Sequence, residues 1–144
     1  MINLSLYSGS ILWLGLLLSM VMVQWLVASS GKARQSGAVP GLPPAQERAH
    51  KSFVFRAWRT HQNTLENLGT MLGAAVFAIF AGANPVWTQV CIAIMVMARF
   101  AHMVLYYSIA TNKNPSPRTW FFMLAWFANC ALIVLGFIAL LSTG

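Results

Sequence analysis

The chain has 144 residues, of which 58% are hydrophobic and only 8% charged, and its formal net charge is +7 at pH 7. A soluble domain carries about a quarter charged residues, so this composition excludes an ordinary water-soluble protein. The basic residues lie between apolar segments, where anionic lipid headgroups account for them, and we do not expect nucleic-acid binding. The length allows one domain, residues 1–144.

Four apolar segments predict an all-α integral membrane four-helix bundle, with helices at about 4–28, 47–82, 86–110 and 118–141. The first segment lacks a basic start and is too long for a signal peptide, so we interpret it as a retained helix. The second is longer than a bilayer is thick, and its polar first half is expected to extend beyond the membrane.

The connections between these segments carry turn signals and most of the charge. Residues 82–85, Gly-Ala-Asn-Pro, predict a tight turn with proline opening the third helix. Cys91 and Cys130 lie inside apolar runs without a Cys/His cluster, so we expect neither a disulfide nor a metal site.

The distribution of lysine and arginine predicts the orientation. The loops after the first and third segments, with the helix starts that follow them, hold all basic residues except Arg99, whereas both termini and the 82–85 turn hold none. The positive-inside rule then places the basic loops in the cytoplasm and both termini on the opposite side. We expect a multi-pass protein of a bacterial inner membrane.

Polar side chains form a stripe along the second helix. At 100° per residue Arg56, Arg59, Asn63 and Glu66 share an arc of about 80°. Charges facing lipid would cost several kcal/mol each, so the arc must face protein, water or a polar ligand.

The third helix carries a similar face, because Arg99, His102 and Tyr106 follow one another at i, i+3 and i+7. Arg99 and Glu66 have comparable depth, and we expect them to form a buried ion pair that fixes the helix register. His102 alone is more typical of a core histidine than of a catalytic base.

Four arginines are expected at the cytoplasmic rim, two of them from the polar arc: Arg34, Arg56, Arg59 and Arg118. Glu47 is the one carboxylate close to them in sequence. Unpaired arginines of this kind favour an anionic ligand with carboxylates. The alternative is that they contact lipid headgroups.

The segment Arg59-Thr60-His61-Gln62-Asn63-Thr64-Leu65-Glu66-Asn67 resembles the Arg-x-x-x-Asn-x-x-Glu-Asn signature of the MAPEG superfamily, the membrane-associated proteins in eicosanoid and glutathione metabolism. The 82–85 turn and Arg99-Phe100-Ala101-His102 with Tyr106 are similar to other family segments. The resemblance covers roughly residues 47–142.

The resemblance implies a homotrimer that binds glutathione between subunits near the cytoplasmic side. It implies glutathione contacts from Arg59, Asn63 and Glu66, with Tyr106 as a third-helix ligand and Arg34 as the basic residue ending helix one. It also implies that Arg118 stabilises the glutathione thiolate, with the Thr119 hydroxyl beside it. With the residues of the two polar faces, the predicted site is catalytic Arg118 and Thr119, and ligand-binding Arg34, Arg56, Arg59, Asn63, Glu66, Arg99, His102 and Tyr106.

Three positions depart from family patterns: Gln62 replaces an arginine, and Asn67 and Phe122 each replace a tyrosine of some members. These departures argue against specific eicosanoid activities and leave general glutathione chemistry open. We therefore predict a glutathione transferase or peroxidase acting on hydrophobic, membrane-dissolved substrates. The alternatives are a non-enzymatic lipid- or glutathione-binding protein of the same fold and a small transporter, which the lack of a repeat disfavours.

Overall fold

The computed structural model describes residues 3–44 and 49–142, and these form four long helices without any strand. Helix α1 spans Ser8–Ala33 after a 3-10 turn at Leu4–Tyr7, α2 spans Phe53–Phe80, α3 spans Pro85–Ser108 and α4 spans Pro117–Ser142. The all-α fold class is confirmed.

Three of these helices are long and apolar enough to cross a membrane: Leu4–Ala33, Pro85–Ser108 and Pro117–Ser142. Helix α2 has 28 residues, or about 42 Å of helix, which suffices in length. Its polar side chains keep it below the apolarity of the other three. The chain is therefore a membrane protein in which α2 is the polar helix.

The start of α2 differs from the predicted start near Glu47. Residues 49–51 form a 3-10 turn, and α2 begins at Phe53, where the Ser52 hydroxyl accepts a hydrogen bond from the Phe55 amide at 3.4 Å. Glu47 and Arg48 lie outside the described residues. Helix α1 instead runs past its predicted end and includes Lys32.

The turn between α2 and α3 has the predicted form. Gly82 adopts a positive φ of 72°, a conformation that favours glycine. The Asn84 side chain then caps α3 by accepting from the amides of Val86 (3.0 Å) and Trp87 (3.2 Å), with Pro85 as the first helical residue. The Tyr7 hydroxyl donates to the Ala83 carbonyl and fixes the N-terminal turn to this end of the bundle.

Helix α1 contacts α2 and α3, and α4 contacts α3 and α2. Leu17, Met71, Ile92, Met95 and Leu132 are fully buried at their centre. Gly136 of α4 lies against the Phe77 ring, where an added Cβ would collide, so the glycine allows α2 and α4 to approach closely. Cys91 and Cys130 are free thiols, each half-buried.

One end of the bundle, called the basic end below, is formed by the C-termini of α1 and α3 and the N-termini of α2 and α4. At this end Arg56 of α2 donates a hydrogen bond to the Tyr107 carbonyl of α3. A Cβ added at Gly31 of α1 would lie 3.5 Å from the Val54 side chain of α2, an ordinary van der Waals distance. The predicted rim arginines and Lys32, Lys51 and Lys113 all belong to this end.

Candidate functional site

Part of the polar arc of α2, the part that carries Arg59 and Glu66, faces out of the protomer. Arg59 donates to Glu66 through two bonds, Nη1 to Oε1 at 2.8 Å and Nη2 to Oε2 at 3.4 Å. The two side chains are 34% and 54% exposed. A separation of seven residues places them on the same face two turns apart, within reach of the long arginine side chain.

The predicted ion pair between Glu66 and Arg99 is therefore wrong. Arg99 is 2% exposed, and its Nη2 donates to Asn63 Oδ1 at 2.9 Å and to Thr64 Oγ1 at 3.0 Å. Asn63 is thus brought together with Arg99 as an acceptor, and Thr64 is a partner that the sequence analysis missed. Its only sequence signal is its place beside Asn63, on the side of α2 turned toward the protomer interior.

Arg118 lies at the first turn of α4 and stacks on Tyr106 of α3. Its Cζ is 3.8 Å from the centre of the tyrosine ring, and its Nη2 donates to the Thr111 carbonyl at 3.1 Å. The other terminal nitrogen, Nη1, is buried and has no protein partner. The short loop before α4 therefore holds the guanidinium over α3 and leaves one donor free.

His102 continues the same face of α3 toward the centre of the bundle. Its ring is 4% exposed and lies 5.5 Å from the Tyr106 ring and 6.3 Å from the Phe122 ring, centre to centre. Arg99 follows, with its Cζ 5.8 Å from the centre of the Phe122 ring. Phe122, noted in sequence only as a departure, thus contacts both buried cationic and imidazole groups.

We call Arg99, His102, Tyr106 and Arg118, with Asn63, Thr64 and Phe122 around them, the basic column. Three of its buried nitrogen atoms lack partners: Arg99 Nε, His102 Nδ1 and Arg118 Nη1. Within residues 3–44 and 49–142 the sole ion pair joins Arg59 and Glu66, so neither arginine of the column has a carboxylate partner. A buried site with two guanidinium groups and unfilled donors is suited to binding an anion.

Arg56, predicted to bind ligand, has a different position. Its Nη1 donates to the His50 carbonyl at 2.7 Å and the Lys51 carbonyl at 3.1 Å, and its Nη2 donates to the Tyr107 carbonyl at 3.1 Å. The side chain therefore ties the segment before α2 to the last turn of α3, where a cation also interacts favourably with the helix dipole. Arg56 holds the basic end together, and its terminal nitrogens are occupied by the protein.

The Thr119 hydroxyl is also engaged. It accepts from the Ser116 amide at 3.2 Å and lies 3.3 Å from the Ser116 hydroxyl, while the Thr119 amide donates to the Ser116 carbonyl at 2.9 Å. These bonds satisfy the polar groups at the start of α4. They fix the helix start from which Arg118 extends.

Arg34 does not join the basic column in the protomer. It is exposed and lines a separate cleft of about 410 Å³ between the end of α1 and the start of α2, with Gly31, Phe53 and Val54 among its neighbours. A larger apolar groove of about 580 Å³ lies between α1 and α3, lined among others by Trp13, Met20 and Phe100. None of the residues of the basic column lines either space.

His50 closes the basic column at the basic end of the bundle, with its ring centre 5.7 Å from that of Tyr106. Burial, and then the charges of Arg118, Arg56 and Arg59, lower the pKa of the imidazole from its ordinary value of 6.5. An unfolded chain therefore takes up this proton at a higher pH than the folded protein does. The free energy of unfolding is therefore unaffected by His50 above that ordinary pKa, and it decreases as the pH falls below it.

We expect the melting temperature in detergent to fall between about pH 7 and about pH 5 more steeply for the wild type than for His50→Gln, which has no titrating group at this position. His61 and His102 are common to both proteins, so their contribution cancels in the difference. Parallel pH profiles for the two proteins would show that the position of His50 imposes no penalty on its protonation.

The fold and the basic column define a helical membrane protein with a cluster of cationic side chains, two of them without carboxylate partners in the described chain, toward one end of the bundle. The sequence profile described as the MAPEG family matches residues 7–138, nearly the whole chain. This protein belongs to the MAPEG family, which includes glutathione transferases and related proteins. No individual curated protein and no solved structure matches the sequence significantly.

Proposed function

We propose that this protein is a glutathione-dependent transferase or peroxidase that acts on hydrophobic electrophiles dissolved in the membrane. The observation that carries the proposal is the basic column, in which Arg99 and Arg118 are without carboxylate partners in the described chain and Arg118 Nη1 is a buried, unfilled donor. Membership of a family that includes glutathione transferases supports it.

The chemistry requires a thiolate. A free thiol has a pKa of about 8.5, and only its deprotonated form is a good nucleophile. A guanidinium donor at the sulfur stabilises the negative charge and lowers that pKa. Arg118 Nη1 is the donor for this role, since the other terminal nitrogen of the same side chain is already bonded to Thr111. In a conjugation the thiolate forms the S–C bond while the leaving group departs, and the thiol proton has already passed to solvent.

Glutathione also carries two carboxylates and an amino group. In the proposal Arg59 binds a carboxylate and Glu66 the amino group, so the ligand replaces the Arg59–Glu66 bonds of the protomer with one bond to each partner. Asn63 lies beside them and already accepts from Arg99. Arg34 completes the site from a neighbouring subunit, because it lies away from the basic column in its own protomer.

The direct test is calorimetric titration of the purified protein with glutathione, followed by conjugation to chlorodinitrobenzene. S-methylglutathione, which lacks an ionisable thiol, is the matched control ligand and is expected to bind without supporting turnover. Binding of both ligands without conjugation would favour the non-enzymatic alternative, and no binding of either would reject the proposal.

A homotrimer is part of the same proposal. The exposed face of α2 carries Arg59, Gln62, Glu66 and Thr70 together with Gly69 and Gly73, and an added Cβ at either glycine would meet open space. Polar groups at this depth disfavour contact with lipid, and small residues allow helices to approach closely. The face therefore suits contact with copies of itself.

We expect Gly69→Leu and Gly73→Leu to shift the protein from trimer to monomer in native mass spectrometry. Gly15→Leu is the matched control, because Gly15 is also helical and open but lies on the apolar helix α1. A wild-type protein that is monomeric, or glycine variants that remain trimeric, would contradict the proposed interface.

The orientation is proposed from the same asymmetry of charge. Every described lysine and arginine except Arg99 lies at the basic end, and the end formed by Tyr7, Ala83 and the C-terminus of α4 has none. The positive-inside rule supports a cytoplasmic basic end, with both chain termini on the other side of a bacterial inner membrane. Glutathione would then reach the basic column from the cytoplasm.

A further inference from the structure

The guanidinium of Arg118 lies in close contact with the face of the Tyr106 ring. A cation within about 6 Å of a ring centre is attracted to the ring face, and here the guanidinium carbon lies 3.8 Å from it. Arginine side chains have much rotamer freedom, which must be lost before such a group can act from a fixed position. The ring and the Thr111 carbonyl remove that freedom together.

Tyr106 is itself held on both sides. It is 7% exposed, and its ring lies 5.7 Å from the His50 ring and 5.5 Å from the His102 ring. His50 belongs to the segment that Arg56 fastens through the His50 carbonyl. The tyrosine ring therefore forms a rigid surface on which the guanidinium rests.

We propose that the ring of Tyr106 is the positioning element of Arg118, fixing the guanidinium so that its Nη1 faces the bound ligand. The inference rests on the proposed thiolate role of Arg118, and it assigns the function to the aromatic face of Tyr106, separately from any hydrogen bond of its hydroxyl. With one face of the guanidinium covered and Nη2 bonded to Thr111, Nη1 is the buried donor that stays free.

Two substitutions separate the ring from the hydroxyl. Tyr106→Phe keeps the aromatic face, and Tyr106→Leu removes it while retaining an apolar side chain. The thiolate absorbance of bound glutathione is measured against pH for both variants and the wild type. We expect Tyr106→Phe to leave the thiol pKa at the wild-type value and to change only KM. We expect Tyr106→Leu to raise the thiol pKa by about one unit and to lower kcat about tenfold.

A second measurement reports the position of Arg118 without glutathione. Phenylglyoxal modifies accessible guanidinium groups, and mass spectrometry of the digested protein gives the rate at Arg118. We expect this rate to rise about tenfold in Tyr106→Leu and to stay at the wild-type value in Tyr106→Phe. Free N-acetylarginine added to each reaction is the reference and should react equally with all three proteins.

The outcomes are distinguishable. If Tyr106→Leu matches the wild type in thiol pKa and in the modification rate of Arg118, the ring does not position Arg118, even where glutathione binding stands. If the Arg118 modification rate follows the expected pattern but wild-type protein does not bind glutathione or lower its thiol pKa, the positioning contact is real and the proposed function fails. Loss of the thiolate signal in Tyr106→Phe as well as Tyr106→Leu would assign the role to the hydroxyl and overturn the inference.

Discussion

Arg118→Ala is expected to raise the thiol pKa of bound glutathione toward its free value of about 8.5 and to lower kcat roughly a hundredfold. The reason is the position of Nη1, a buried donor with no other partner, in a part of the bundle where water competes little for the developing charge. Binding should weaken less than turnover, because the sulfur is one of several contacts of the ligand. The measurement is thiolate absorbance against pH together with kcat and KM.

Arg59→Ala is the matched comparison. Its proposed partner is a carboxylate whose charge does not change during reaction, so its loss removes binding equally from ground state and transition state. We expect a raised KM and an unchanged thiol pKa. Arg118→Lys keeps the charge without the planar fork and should lie between Arg118→Ala and wild type. If Arg118→Ala titrates like the wild type, the residue serves only to anchor the start of α4.

The combined substitution Asn63→Leu with Thr64→Val is expected to destabilise the protein strongly. It removes both acceptors of Arg99 at nearly constant volume and leaves a guanidinium that is 2% exposed without its protein partners. Leaving a buried donor without its acceptors costs about 1–3 kcal/mol, and more when the group is charged. The melting temperature in detergent, followed by circular dichroism, should fall accordingly.

Thr70→Val controls for the loss of a threonine hydroxyl on α2, since Thr70 lies on the exposed face away from Arg99. Adding Arg99→Met to the double substitution removes the stranded charge and should restore part of the lost stability. A double variant as stable as the wild type would show that water or another group satisfies Arg99. The predicted pairing of Arg99 with Glu66 would have placed this sensitivity at Glu66, whose side chain is 54% exposed.

The fold followed from the sequence because its signals are local. Apolar length predicts helices, and Gly82 with Asn84 and Pro85 encodes a chain reversal within a few residues. The positions of Arg99, His102 and Tyr106 on one face of α3 follow in the same way from helical periodicity. Periodicity alone therefore placed the three α3 residues of the basic column on one face of that helix.

Partners between helices were harder to predict, because spacing does not say which groups a long side chain reaches. By its helical angle Arg56 belongs to the polar arc, yet it is buried and donates to the backbone carbonyls of His50, Lys51 and Tyr107. A pattern of side chains cannot predict backbone acceptors of this kind. Thr111 is likewise a carbonyl partner of Arg118 and carries no sequence signal. Glu66 was expected to pair with Arg99 of α3, but Arg59 on its own helix bonds it.

The short connection between α2 and α3 bears on how the chain enters the bilayer. Only residues 81–84 separate α2, which is more polar than the other long helices, from α3, which is long and apolar enough to cross a membrane. The cost of carrying the polar groups of α2 into hydrocarbon is offset when α3 inserts with it as a helical hairpin. We therefore expect α2 to depend on α3 during biosynthesis, so that a nascent chain truncated after Phe80 would leave α2 outside the membrane.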